Sequence, residues 1–154
     1  FSPDYVNNTL SVYLDNQEVS LELRTEETAE LASKFAMIRP LRESLLIRQR
    51  NFKKLPGLVA DGRDMGTVVF KDASYKVFLT ANVGERAKRR LKQLHQRGIT
   101  GNISHILEDV RNRDERDVSR KHSPLKPSKD ALIIDTSDLT VNEVVTEVMA
   151  LVKV

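Results

Sequence analysis

At 154 residues the chain is about one domain long, and a composition that is 40% hydrophobic and 31% charged is that of an ordinary globular protein. It contains no cysteine, which excludes a disulfide framework and a thiolate metal site. No apolar run approaches bilayer-spanning length, and no basic stretch followed by an apolar one opens the chain, so no membrane partner is expected and the cytoplasm is the expected compartment. Net charge is only +3, from 25 basic against 22 acidic residues. Arginines and lysines crowd between Arg86 and Arg120, however, and suggest a local phosphate-binding surface for a nucleotide or a nucleic acid.

Phe1 to Asn8 reads as irregular. Leu10, Val12 and Leu14, then Val19, Leu21 and Leu23, alternate on either side of Asp15-Asn16, which predicts a small β-hairpin. Thr25 offers an N-cap, and Glu26 and Glu27 place negative charge on the first turn of a helix running to about Ile38. Pro40 opens a second helix from about Leu41 to Lys54, and Pro56-Gly57 stops it. This hairpin with two helices reads as a small subdomain or insertion.

Leu58-Val59-Ala60 then reads as a buried strand. It ends in Asp61-Gly62-Arg63-Asp64-Met65-Gly66, before the apolar run Thr67 to Phe70. Glycines at 62 and 66 allow a tight path, and charged side chains at the C-terminal end of a strand in an open α/β sheet sit where such sheets bind ligands. A polar turn with an incidental Asp–Arg pair is the plain alternative. Lys76 to Thr80 and Ala131 to Asp135 read as two further buried strands. Helices are predicted over about Gly84 to Arg97, Ile103 to Ser119 and Thr140 to Val152, with a loop at Pro124 and Pro127. Strands alternating with helices argue for a parallel sheet with crossover helices.

The helix from Ile103 carries the most informative pattern. Ile106 and Val110 share a face, and steps of three and four continue that face through Arg113, Asp117 and Arg120. A core stripe becomes a charged one, as on a helix that leaves the core to line a polar cleft. Arg113 and Asp117 would pair at i, i+4; a solvated helix end with intrahelical ion pairs is the alternative. Arg86, Lys88, Arg89 and Arg90 form a second basic cluster on the preceding helix, and Gly98 and Gly101 would let the two helices move as a lid. With 5% aromatic residues, none of them between Arg86 and Arg120, a stacking platform for single strands is missing, which counts against nucleic acid. His95, His105 and His122 have no metal-ligand spacing. Phosphoryl transfer by positioning and charge is the chemistry these residues fit.

The stretch Pro56-Gly-Leu-Val-Ala-Asp-Gly-Arg-Asp-Met-Gly-Thr-Val-Val-Phe70, then Glu85-Arg-Ala-Lys-Arg-Arg90, Arg113-Asp-Glu-Arg-Asp117 and Ser123-Pro-Leu125, resembles bacterial cytidylate kinases, from about Leu10 to the C-terminus. The resemblance implies a P-loop nucleoside monophosphate kinase fold of the α/β class: a three-layer parallel sheet with helices on both faces and a small α+β NMP-binding insertion. Residues 1–55 would be that insertion and 56–154 the rest of the core, with a lid around 84–122. The implied activity is transfer of the ATP γ-phosphoryl group to CMP or dCMP, with Mg2+ as cofactor.

Ser33, Arg42 and Asp64 would approach the cytosine edge, Asp64 by accepting from the exocyclic amine. Arg63 would hold the CMP phosphate and Asp61 would lie near the magnesium. Arg113 and Asp117 would contact phosphate and ribose, Arg120 would add charge at the transferred group, and Arg89, Arg90 and Arg116 would serve the ATP phosphates from the lid. One departure stands out: no Gly-x-x-x-x-Gly-Lys occurs anywhere in the sequence. The chain therefore reads as the C-terminal part of such a kinase, without its first strand and P-loop. On that reading the chain alone is expected to be inactive, an inert CMP-binding fragment. It would associate through an exposed sheet edge, whereas the intact enzyme is expected to be a monomer.

Overall fold

The computed structural model describes residues 4–6, 9–96 and 98–152. They belong to two compact units, Phe1–Arg42 and Glu43–Val154.

In the first unit, β1 (Asp4–Val6) pairs antiparallel with β2 (Thr9–Ser11), and β3 (Tyr13–Leu14) with β4 (Gln17–Glu18). Asp15 and Asn16 close the second ladder at φ 50° and 66°. A two-residue hairpin turn demands that left-handed backbone, and Asp and Asn tolerate it better than most residues. Two expectations change here. Asp4–Val6 is paired strand rather than irregular chain, while the rest of that reading, residues 1–3 and 7–8, lies outside the described residues. The alternation through Leu21 and Leu23 does not prolong the hairpin: Glu22–Arg24 is a 3₁₀ turn, and Leu21 is 80% exposed. Past the Val19 N–H to Val12 carbonyl bond the strand has no facing partner among the described residues, and alternation alone does not hold a chain extended.

Helix α1 (Glu26–Phe35) starts as expected, with the Thr25 hydroxyl accepting from the Thr28 N–H at 3.2 Å. Helix α2 (Arg39–Arg50) carries Pro40 in its first turn, where a missing N–H costs nothing. It stops at Arg50 rather than Lys54, because Phe52 and Lys53 bond three residues back and tighten the exit.

The second unit holds a parallel pair, β5 (Val77–Thr80) and β6 (Leu132–Asp135), in register from Val77 opposite Leu132 to Thr80 opposite Asp135. Helices α3 (Val83–Gln96) and α4 (Ile103–Ser119) fill the crossover between them and pack on each other. The third strand expected at Leu58 to Ala60 is not there. Those residues pair with no strand, and Val59 is fully exposed. Apolar residues supply the propensity for a strand, but a ladder needs a neighbour's N–H and C=O groups, and none of the described strands lies beside this segment.

The apolar run Thr67 to Phe70, given no secondary structure by the sequence pattern, falls largely in a single π turn, Met65–Val69. The Asp64 carbonyl accepts from Val68 and Val69 (2.8 and 3.2 Å), and the Met65 carbonyl from Phe70 (2.7 Å).

Helix α3 begins on the Asn82 side chain, which accepts from the Glu85 N–H at 2.8 Å. It ends in a Schellman motif: Gly98 sits at φ 72°, and the N–H groups of Gly98 and Ile99 reach back to His95 and Leu94. Gly101 runs so close to the packed helices that a Cβ there would meet Ile106 and Leu91 at 3.0 and 3.1 Å. Asn102 caps α4, and a full capping box between Thr140 and Glu143 opens α5 (Val141–Leu151). The buried apolar residues Val69, Ala87, Ile106 and Ile134 come from the π turn, α3, α4 and β6.

Candidate functional site

The face of α4 behaves as its spacing foretells. Ile106 is buried in the core, and about three turns further on the same face Asp117 is 1% exposed. A carboxylate that loses its water needs donors, and two arginines supply them. Arg63 donates from Nε to Asp117 Oδ2 at 2.9 Å, across a separation of 54 residues, and Arg120, whose side chain is 6% exposed, donates to Oδ1 in a short contact. The Leu125 N–H binds the Asp117 carbonyl at 2.8 Å, so the Ser123-Pro124-Leu125 loop is anchored at the same residue, with Ser123 at φ 53°.

The expected Arg113–Asp117 pair is corrected by this arrangement. Asp117 spends both oxygens on Arg63 and Arg120, and the Arg113 Nε is buried without a hydrogen-bond partner, as is the Arg120 Nε. Burial pushes the Arg113 guanidinium below its ordinary range. Arg63, Arg90 and Arg116 repel it in the same direction, and Asp117 opposes them. Three guanidinium groups, Arg63, Arg113 and Arg120, thus gather around one carboxylate, with two more close enough to act on Arg113. The Arg120 side chain is buried, Arg113 is half-buried and the Arg63 side chain is exposed at 44%, so the surplus of positive charge is partly desolvated, and the unfilled Nε groups are directions in which an anion's oxygens would be held.

The remaining predicted residues divide by position. Asp64 is buried at 7% exposure at the head of the π turn, while Asp61 is exposed. Ser33 is 5% exposed with its hydroxyl unpartnered, and Arg42 donates to the Ala36 carbonyl; both lie in the first unit, whereas Arg63, Asp64, Arg113, Asp117 and Arg120 lie in the second. Arg89 binds the hydroxyl and carbonyl of Thr136, just beyond the C-terminal end of β6. Arg90 donates to Gln93, and Arg116 to the carbonyl of Asn112 on its own helix. Arg86 and Lys88 are spent within the protein: Arg86 grips Asp114 with two bonds of 2.6 and 2.5 Å, which hold its guanidinium above the ordinary arginine range, and Lys88 pairs with Glu85 at 2.6 Å. The basic cluster of α3 is therefore in part a helix–helix fastener. His95 and His105 are exposed, and no group of three metal-ligating side chains gathers among the described residues.

Sequence reading missed Arg50, Thr136 and Asp114. Arg50 donates to backbone carbonyls and Thr136 offers its own carbonyl to Arg89, and a backbone partner leaves no complementary side chain to notice. Asp114 is one residue in an alternating run of charges, and only the packing of α3 against α4 singles it out.

A parallel crossover unit thus carries a cluster in which arginines outnumber the carboxylate they face, an arrangement suited to anions. Comparison with known proteins narrows the class. The family model described as cytidylate kinase matches residues 2–154. Among curated relatives, the cytidylate kinase of Cupriavidus pinatubonensis (strain JMP 134 / LMG 1197) is 51% identical over 149 residues, covering 97% of this chain and 65% of the relative. That of Paraburkholderia xenovorans (strain LB400) is 54% identical over 136 residues, 88% of this chain and 60% of the relative. That of Klebsiella pneumoniae (strain 342) is 48% identical over 143 residues, 93% and 63%. The chain belongs to the cytidylate kinase family, and it spans somewhat less than two thirds of the length of these relatives.

Proposed function

We propose that the protein transfers the γ-phosphoryl group of ATP to CMP or dCMP on a P-loop nucleoside monophosphate kinase fold, and that this chain supplies the acceptor side of the site. The observation that carries the reading is the unbalanced cluster in which Arg63, Arg113 and Arg120 face a single carboxylate, Asp117, with two buried Nε groups unfilled. A phosphoryl group in transfer spreads negative charge over its equatorial oxygens, and fixed guanidinium groups stabilise that charge without reorganising. Asp117 orients Arg63 and Arg120; Arg113 and Arg63 hold the acceptor phosphate, with Asp117 also toward the ribose, and Arg120 faces the transferred group. Asp64 reads the cytosine edge by accepting from the exocyclic amine. Arg89, Arg90 and Arg116 serve the ATP phosphates from a lid over 84–122, Arg89 after leaving Thr136. The domain division at residues 55 and 56 belongs to the same reading, as does a monomeric enzyme in the cytoplasm.

Mg2+ fits this donor set as an ion carried on the ATP phosphates. Such an ion needs only one or two carboxylates, and the exposed Asp61 is the one the motif offers. When bound, it neutralises charge on the phosphates.

The test compares CMP, UMP and AMP, by calorimetric titration and by ADP release from Mg-ATP. CMP-selective binding is expected of this chain, with turnover only when a P-loop segment is also present, and absence of any CMP response would sink the reading. Arg113→Met is expected to weaken CMP binding about 10- to 100-fold, the worth of a bond to a charged group, with stability unchanged or raised. A lower melting temperature with CMP binding intact would make Arg113 a structural residue instead.

A further inference from the structure

We infer that Arg50 is a positioning residue for Arg63 and Asp64, acting through the backbone carbonyls of Val68 and Val69. The inference rests on the proposed nucleotide site and gives a part to a residue that site does not contain.

The π turn Met65–Val69 hangs from Asp64, whose carbonyl accepts from both Val68 and Val69. One helical turn is too short to sustain itself, and its last carbonyls have no donor within it. Arg50 provides both donors from outside. Its Nε meets the Val69 carbonyl at 2.9 Å and its Nη2 the Val68 carbonyl at 3.1 Å. A planar fork suits two adjacent carbonyls, and a cation at the C-terminal end of the turn also opposes its dipoles. The far end of the turn is thus fixed by the last residue of α2, and the near end carries the buried Asp64 side chain and, one residue before, Arg63 with its Nε on Asp117. If the cap is lost, the bonds on Asp64 loosen, and both side chains lose their fixed starting point.

A neighbouring contact separates this role from plain stapling. Lys53, three residues on, pairs with Asp72 at 3.2 Å, with both side chains mostly exposed. That pair ties the same two stretches of chain without touching a carbonyl of the turn. A staple would act through either contact, whereas a cap that aims Asp64 acts only through Arg50.

The experiment titrates CMP and UMP into the full chain by calorimetry and records the thermal midpoint for Arg50→Met, Arg50→Lys and Lys53→Met. Arg50→Met is expected to lower CMP affinity about tenfold and to erode the CMP-over-UMP ratio. Lysine, a single point donor, should restore only part of the loss, and Lys53→Met should leave affinity and ratio unchanged. A lower midpoint with unchanged CMP affinity and ratio in Arg50→Met would overturn the inference. If that variant fails to fold, Arg50→Lys decides: a loss of about threefold supports the inference, and affinity and ratio equal to those of the unsubstituted chain overturn it. An unsubstituted chain that ignores CMP would fail the nucleotide reading itself, and the role of Arg50 would fall with it.

Discussion

Asp114 and Asp117 lie one turn apart on α4, and each is gripped by arginine, yet the two ends of that turn do different things. Asp114 meets one guanidinium in a two-pronged pair, with both side chains about one third exposed, and the charges balance. Asp117 is buried beside three guanidinium groups, of which it can neutralise one, and the third, Arg113, is left with a buried unpartnered nitrogen. A balanced pair has nothing left to offer and serves packing. An unbalanced one keeps an electrostatic deficit that a ligand can fill, so the charge count around a carboxylate separates fastener from binding site more sharply than the number of arginines does.

Removing each carboxylate should sharpen the contrast. Asp117→Asn leaves Arg120 buried without its counter-charge, and a loss of about 3 kcal/mol or more is expected in urea unfolding. Inorganic phosphate should restore part of that loss by entering the cluster, and a variant indifferent to phosphate would break the distinction. Arg86→Met should cost only about 1 kcal/mol, the scale of a half-exposed pair, and leave CMP affinity unchanged. A fall in CMP affinity there would mean that the fastener also shapes the site.

The smallest effect concerns Glu143, far from either cluster in sequence. The Thr140 N–H and hydroxyl hold its carboxyl below the ordinary value of 4.5. A group whose folded value is depressed stabilises the fold above its unfolded value, and that contribution fades as pH falls through the folded one. An acid titration followed by circular dichroism should therefore lose this component in Glu143→Gln. An identical acid limb in the two proteins would remove the capping box from the acid response.

The charged face of α4 was legible because helical periodicity states which residues share a side, whatever the tertiary structure. The partners of Asp117 were not. Periodicity offered Arg113, one turn away, but burial favoured Arg63, brought from 54 residues off, together with Arg120. The hairpin turn at Asp15-Asn16, the Thr25 cap and the parallel β5–β6 pair follow from local chemistry and short apolar runs. Leu58 to Ala60 has the same kind of apolar run and forms no strand, because pairing belongs to two segments and a sequence window contains one. The π turn was hidden for a related reason: Thr67 to Phe70 has β-branched residues that suit a strand, and the carbonyl cap that bends them the other way comes from Arg50.

That turn also fixes a length. Bonds that skip five residues accommodate one more residue than an α-turn, and a chain shortened by one between Gly62 and Phe70 would close with ordinary spacing. Each residue of helix turns the chain by about 100°, so the deletion would swing Arg63 away from Asp117 on α4. The segment should therefore drift in composition more readily than in length, and a gap there would mark a lost Arg63–Asp117 contact even where the letters on either side agree.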